Sequence, residues 1–275
     1  MDGGGSALRR HRSSWWPSAP WCAALSFVLL VCSAGFANAQ EGSCGKDVHA
    51  VLSRNLKLPS LAAAEQGGNI VSEACKPWPD NPRMTVAAIA FDEGVQYEKQ
   101  LVVALLETRS GRVASHYRNA IVEDATTEVG AGSLTLDTAR YRLSPSLRAF
   151  GYRFRSTARG ASCGEANWND ELTLLVPEGS RLRPVFSLAL FQQRSLKGCL
   201  SVQSQGAVWQ DAVLTLEMEK PSSNGFHDIR VTASVTTTTN GDAAAPSPAS
   251  AEHHVFRYDG KVYQPGPEKP WWAGF

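Results

Sequence analysis

Thr85-Val86-Ala87-Ala88-Ile89-Ala90-Phe91 runs directly into Asp92-Glu93-Gly94, and Leu101-Val102-Val103-Ala104-Leu105-Leu106 follows at once, ending on Thr108-Arg109-Ser110-Gly111. β-branched and aromatic residues in short runs, each stopped by a glycine-containing turn, are the signature of strands joined by tight connections. Outward from this pair the pattern repeats. Val113 to Val122, Ser133 to Leu136, Ala149 to Phe154, Glu171 to Val176 and Leu182 to Phe191 each read as a strand, as do Val213 to Met218, Ile229 to Thr238 and His254 to Tyr258. Three turns share an acid-then-glycine form, namely Asp92-Glu93-Gly94, Pro177-Glu178-Gly179-Ser180 and Tyr258-Asp259-Gly260-Lys261. Glycine takes positive φ there at no steric cost. The expected class is all-β and antiparallel, propeller-like or a sandwich.

Upstream, Val48, Val51, Leu52 and Leu56 fall at helical spacing, predicting one short amphipathic helix over Lys46 to Leu56. The three prolines between Pro77 and Pro82 surround Trp78 and exclude regular structure. They read as a linker carrying Cys75 to the first strand. Asn240 to Glu252 is a small-residue, proline-containing stretch that reads as a mobile loop. In the tail, Pro265, Pro267 and Pro270 precede Trp271-Trp272, expected to dock on the body.

The first 39 residues read as a secretory signal peptide. Arg9, Arg10 and Arg12 precede an apolar run of sixteen residues from Trp21 to Phe36, and Ala37-Asn38-Ala39 supplies the small residues for cleavage before Gln40. The run is short of the roughly 20 residues that span a bilayer. Cys32 follows Val31, not the small residue a lipoprotein signal requires. The expected organisation is therefore a leader over 1–39, a helix and Pro-rich, disulfide-linked segment over 40–82, an all-β domain over 83–263 and a Pro/Trp tail over 264–275.

Removing the leader takes three of 27 basic and one of 26 acidic residues, leaving 24 against 25. So balanced a chain has no electrostatic case for nucleic acid or an anionic membrane surface, and no later segment has the length for stable membrane insertion after cleavage. Cys22 and Cys32 leave with the leader. Cys44, Cys75, Cys163 and Cys199 remain, an even set in an exported chain, which points to two disulfides in a periplasmic or secreted protein. Four cysteines allow three pairings. Cys44–Cys75 and Cys163–Cys199 are favoured because each closes the shorter loop. No Cys-x-x-Cys spacing supports a metal site, and no cofactor is expected.

Gly160-Ala161-Ser162-Cys163-Gly164 fits the Gly-x-Ser-x-Gly form of a nucleophile elbow, but that chemistry needs a strand before the serine, a helix after it and a base beside it. His253 and His254 are adjacent and would point to opposite faces of a strand, while His49, His116 and His227 are scattered. No catalytic residue is assigned. The one basic concentration is Arg140, Arg142, Arg148, Arg153 and Arg155, interleaved with Tyr141, Phe150, Tyr152 and Phe154. Tyr141 and these arginines form the candidate face for a protein or glycan partner. The plainer reading is a polar strand surface on which arginine stems cover neighbouring aromatics.

Asn224-Gly225-Phe226-His227-Asp228-Ile229-Arg230-Val231 and Phe256-Arg257-Tyr258-Asp259-Gly260-Lys261-Val262-Tyr263 resemble the closing segment of bacterial envelope proteins of FG-GAP or VCBS type, a group with lysozyme-inhibitor-like members. The resemblance covers this C-terminal segment alone. It implies a propeller-like or related β-fold and a binding role, inhibitor-like in the specific case. Pro221, Ser222, Ser223 and Asn224 stand where such repeats carry an Asp-rich calcium loop. The expectation is an exported, non-catalytic binding protein of the cell envelope, with an envelope hydrolase or a structural envelope component as alternatives.

Overall fold

A computed structural model describes residues 42–200, 205–241 and 247–274. The leader over 1–39 and its cleavage site lie outside these residues. Helix α1 (Lys46–Leu56) matches its predicted bounds. It ends where Lys57 turns into the left-handed region and its neighbour Leu58 returns an N–H to the Ser53 carbonyl, just ahead of Pro59.

The first strand is one the sequence pattern passes over. β1 (Ile70–Pro77) contains Cys75 itself, so the Pro-rich stretch is the turn after this strand and not a linker leading to the first one. β2 (Met84–Phe91), β3 (Glu98–Glu107) and β4 (Val113–Val122) follow as an antiparallel meander. β5 (Leu134–Asp137) pairs with β8 (Phe150–Phe154), and the small hairpin of β6 (Arg142–Ser144) and β7 (Leu147–Arg148) stands between them. Long strands complete the chain: β9 (Ala166–Glu178), β10 (Arg181–Lys197), β11 (Val208–Ser223), β12 (Phe226–Thr239) and β13 (Ser250–Tyr258), closed by the short β14 (Tyr263–Gln264).

Twelve of these strands form one continuous sheet in the order β1-β2-β3-β4-β10-β11-β12-β13-β14, with β9, β8 and β5 branching from β10. The protein is all-β, as expected. These twelve strands curl as one sheet, with only the β6–β7 hairpin apart from it, and among the described residues they do not divide into propeller blades. β5 returns against β1, where the Leu134 N–H donates to Ser72 Oγ at 2.9 Å.

Three apolar cores explain the strand patterns. Val86, Ala88 and Ala90 of β2 and Leu101, Val103 and Leu105 of β3 face an inner core with Leu134, Phe150, Tyr152 and Leu175. Their alternates, Ala87, Ile89, Phe91, Val102, Ala104 and Leu106, face Leu52 of α1 and Leu58 and Leu61 in the segment after it. β2 and β3 are buried on both faces, which is why they read as unbroken apolar runs. A third core lies on the other side of β9 and β10, among Leu172, Leu174, Phe186, Leu188 and the inward faces of β11–β13. β10 crosses between cores by a bulge. Pro184 pairs with Leu175 and Phe186 with Leu174, so Val185 is the extra residue and lies in the same core as Phe186.

The two disulfides are Cys44–Cys75 and Cys163–Cys199, the favoured pairing. Such bridges persist in an oxidising environment. Among the described residues no helix is long and apolar enough to cross a membrane. Trp272 is fully buried, with its indole N–H donating to Glu252, so the tail docks as expected. The stretch read as a loop carries regular structure over its last described residues. β13 already begins at Ser250, and Ser247 bonds back to Thr237.

Candidate functional site

The basic residues singled out in the sequence divide into two separate clamps. On one, Arg142 and Arg148 both reach Asp80 Oδ1, at 3.2 and 2.9 Å, and Arg148 also donates to the carbonyls of Thr138 and Ala139. Asp80 comes from the Pro-rich turn between β1 and β2. On the other, Arg153 grips the Asp170 carboxylate through both Nε and Nη2, and Arg155 lies 3.5 Å from it. Tyr141 is buried and its hydroxyl donates to Asp137 Oδ2 at 3.0 Å, while Arg140 stays exposed. Four of the five arginines therefore have a carboxylate partner within the fold.

Asp170 is the residue that holds the second clamp together. It lies inside β9, its side chain is only 13% exposed, and its φ of 61° is left-handed. Asn and Asp tolerate that conformation better than most residues. In this conformation the carboxylate meets both arginines. Nothing in the local sequence marks Asp80 or Asp170 as arginine partners; the pairs span 62 and 68 residues for Asp80, and 17 and 15 for Asp170.

The remaining candidates stand apart. Ser162 lies in a turn followed by strand β9, so no helix leaves it, and its neighbour Cys163 is tied to Cys199. His253 and His254 do face opposite ways: His253 meets Thr232 Oγ1, whereas His254 bonds the Pro265 carbonyl and sits edge-on to Trp272.

The more suggestive feature is a seam that sequence reasoning missed. β4 joins β10 only at His116–Arg181 and then diverges. Between its far half and strands β8 and β9 lies a cavity of about 210 Å³. Leu101, Ile121, Tyr152 and Phe154 line its apolar side; Asn119, Thr127, Asn169 and Glu171 supply polar groups; Trp168, 48% exposed, stands at the rim. Tyr152 stacks on Tyr117 with ring centroids 6.5 Å apart. Burial holds both phenols above their ordinary pKa, and nearby Glu171 adds to the effect. Both hydroxyls therefore stay protonated at neutral pH. The Glu171 carboxylate accepts a hydrogen bond from Ser187 at 2.6 Å. Alternation on β8 sends Tyr152 and Phe154 into this seam and Arg153 and Arg155 to the opposite face, beside a second cavity of about 330 Å³. The sequence signal was present in the Phe150-x-Tyr152-x-Phe154 alternation. What faces those rings depends on where β4 separates from β10.

A larger groove of about 990 Å³ runs between α1 and β1. On it His49 Nε2 lies 2.6 Å from Glu73 Oε2, both largely buried and adjacent to the Cys44–Cys75 bridge. No family model, curated protein or solved structure matches this chain.

Proposed function

We propose that this is an exported, non-catalytic binding protein of the cell envelope, periplasmic or secreted, whose ligand site is the seam between β4 and β8–β9. The ligand is a glycan. The observation that carries this reading is the pairing of aromatic walls with amide, hydroxyl and carboxylate groups in one cavity. Aromatic faces cover the apolar face of a sugar ring, and a few fixed polar groups take its hydroxyls. At about 210 Å³ the cavity is below the roughly 300–1,000 Å³ of pockets for drug-sized ligands. It accommodates one ring, with the remainder of the glycan running over Trp168. The resemblance of Asn224–Tyr263 to FG-GAP or VCBS-type envelope proteins points to the same kind of role, and its inhibitor-like form is tested by a lysozyme-inhibition assay.

The test of the site is calorimetry of the purified protein against envelope polysaccharides and their oligosaccharide fragments. Trp168→Ala and Asn119→Ala should each weaken binding by about fivefold or more, as expected when a contact worth about 1 kcal/mol is lost, with unfolding temperature unchanged. A glycan that binds equally well to both variants would displace the site. Absence of binding across the panel, with capture of an envelope protein instead, would favour a protein partner.

A further inference from the structure

We propose that Cys44, His49, Glu73 and Cys75 form a binding site for a zinc-class divalent metal whenever the Cys44–Cys75 bond is reduced, so that disulfide and metal are alternative closures of one joint.

The joint is built from two elements. Cys44 stands just before α1 and His49 lies on its second turn, reaching toward β1. Glu73 and Cys75 are two apart on β1, hence on one face of the strand, and the alternate residues Ser72 and Ala74 are buried on the other. A sulfur of Cys44, a ring nitrogen of His49 and a carboxylate oxygen of Glu73 all lie within 4.8 Å of one another. The Cys75 sulfur is bonded to that of Cys44 and completes the four. Tetrahedral zinc with bonds of 2.0–2.3 Å places its ligand atoms about 3.3–3.8 Å apart. Released sulfurs would separate to that spacing, and His49 and Glu73 would open from 2.6 Å by less than about 1 Å. Two thiolates, an imidazole and a carboxylate are a donor set suited to zinc. The groove of about 990 Å³ beside them gives the ion a way in.

The two closures exclude each other because a disulfide sulfur has no thiolate to offer. Opening the bridge takes two electrons and two protons from a dithiol, which leaves as its own cyclic disulfide. Metal binding then displaces both thiol protons to solvent, and His49 presents an unprotonated ring nitrogen. The second bridge is an internal contrast. Among the described residues Cys163–Cys199 has no such companions.

The site is tested in Cys163→Ser/Cys199→Ser protein, reduced with dithiothreitol, desalted under anaerobic conditions and titrated with Co²⁺ and then Zn²⁺. One Co²⁺ per chain should give thiolate-to-cobalt charge-transfer absorption that one equivalent of Zn²⁺ removes, and the oxidised protein should give none. His49→Ala and Glu73→Gln should each weaken Zn²⁺ binding at least about tenfold, since even outer-sphere partners of a metal contribute that much. No charge-transfer band, or a Zn²⁺ affinity unchanged in either variant, overturns the site. If the reduced chain loses its far-ultraviolet circular dichroism, Zn²⁺ must restore it; failure to do so also overturns the site. None of these readouts depends on glycan binding.

Discussion

Arg181 of β10 pairs with His116 of β4 in parallel register, and among the described residues this is the one strand pairing between the β1–β4 meander and the rest of the sheet. The His116 N–H donates to the Ser180 carbonyl at 3.2 Å. Everything beyond this point on β4 diverges from β10, so the contact sets where the aromatic-walled seam begins.

That position makes the junction sensitive to acid. Burial lowers the His116 pKa below 6.5, and repulsion from Arg118 and Arg181 adds to it. In the unfolded chain the imidazole takes its proton first as pH falls, so folding loses stability below about pH 6.5 and the loss is complete once the folded pKa is passed. Above that range His116 contributes nothing to the pH dependence. Unfolding temperatures measured from about pH 7.5 to about pH 5 should fall less steeply in His116→Gln than in the parent.

At the other edge of the curl, β5 meets β1 through shared core packing and one side-chain hydrogen bond. Ser72→Ala leaves the buried Leu134 N–H without its acceptor, which should cost about 1–3 kcal/mol in urea unfolding. A change within error would mean that β5 is held by packing alone.

Asp170 combines charge with backbone strain. Asp170→Asn keeps a residue that tolerates φ of 61° but loses the charge facing Arg153 and Arg155. It should destabilise by about 1–2 kcal/mol, below the full value for a charged hydrogen bond because Arg155 is largely solvated. Asp170→Leu adds the cost of the left-handed conformation and should reach about 3 kcal/mol. Equal effects of the two would show that the pairing, and not the backbone conformation, dominates.

Of the adjacent tryptophans at the tail, only one is core. Trp272→Ala should cost about 3–5 kcal/mol, the range for a fully buried large aromatic. Trp271, half-buried with the Arg194 guanidinium 4.6 Å from its ring centroid, should cost about 1 kcal/mol. Thermal unfolding of the two variants distinguishes them.

What could be read from the chain was local or short in reach. α1 is marked by the spacing of Val48, Val51, Leu52 and Leu56. The three acid-then-glycine turns all connect paired strands, with Gly94, Gly179 and Gly260 at positive φ. The disulfide pairing followed loop length. One such signal was passed over. Asn224-Gly225, both at positive φ, forms the two-residue turn between β11 and β12, the strongest short-range hairpin mark in the chain.

The rest depended on distant partners. β1 went unnoticed because Ser72, Glu73, Cys75 and Lys76 give no apolar alternation, yet pairing with β2 and packing under α1 make it a strand. β9 and β10 extend well past their apolar runs because the added residues pair with each other and, on β10, with β11. Composition and local spacing determine which segments become strands and turns, since propensity acts within a few residues. Tertiary contact alone decides which carboxylate meets which arginine and where the sheet parts, because those outcomes join residues whose separation along the chain carries no local signal.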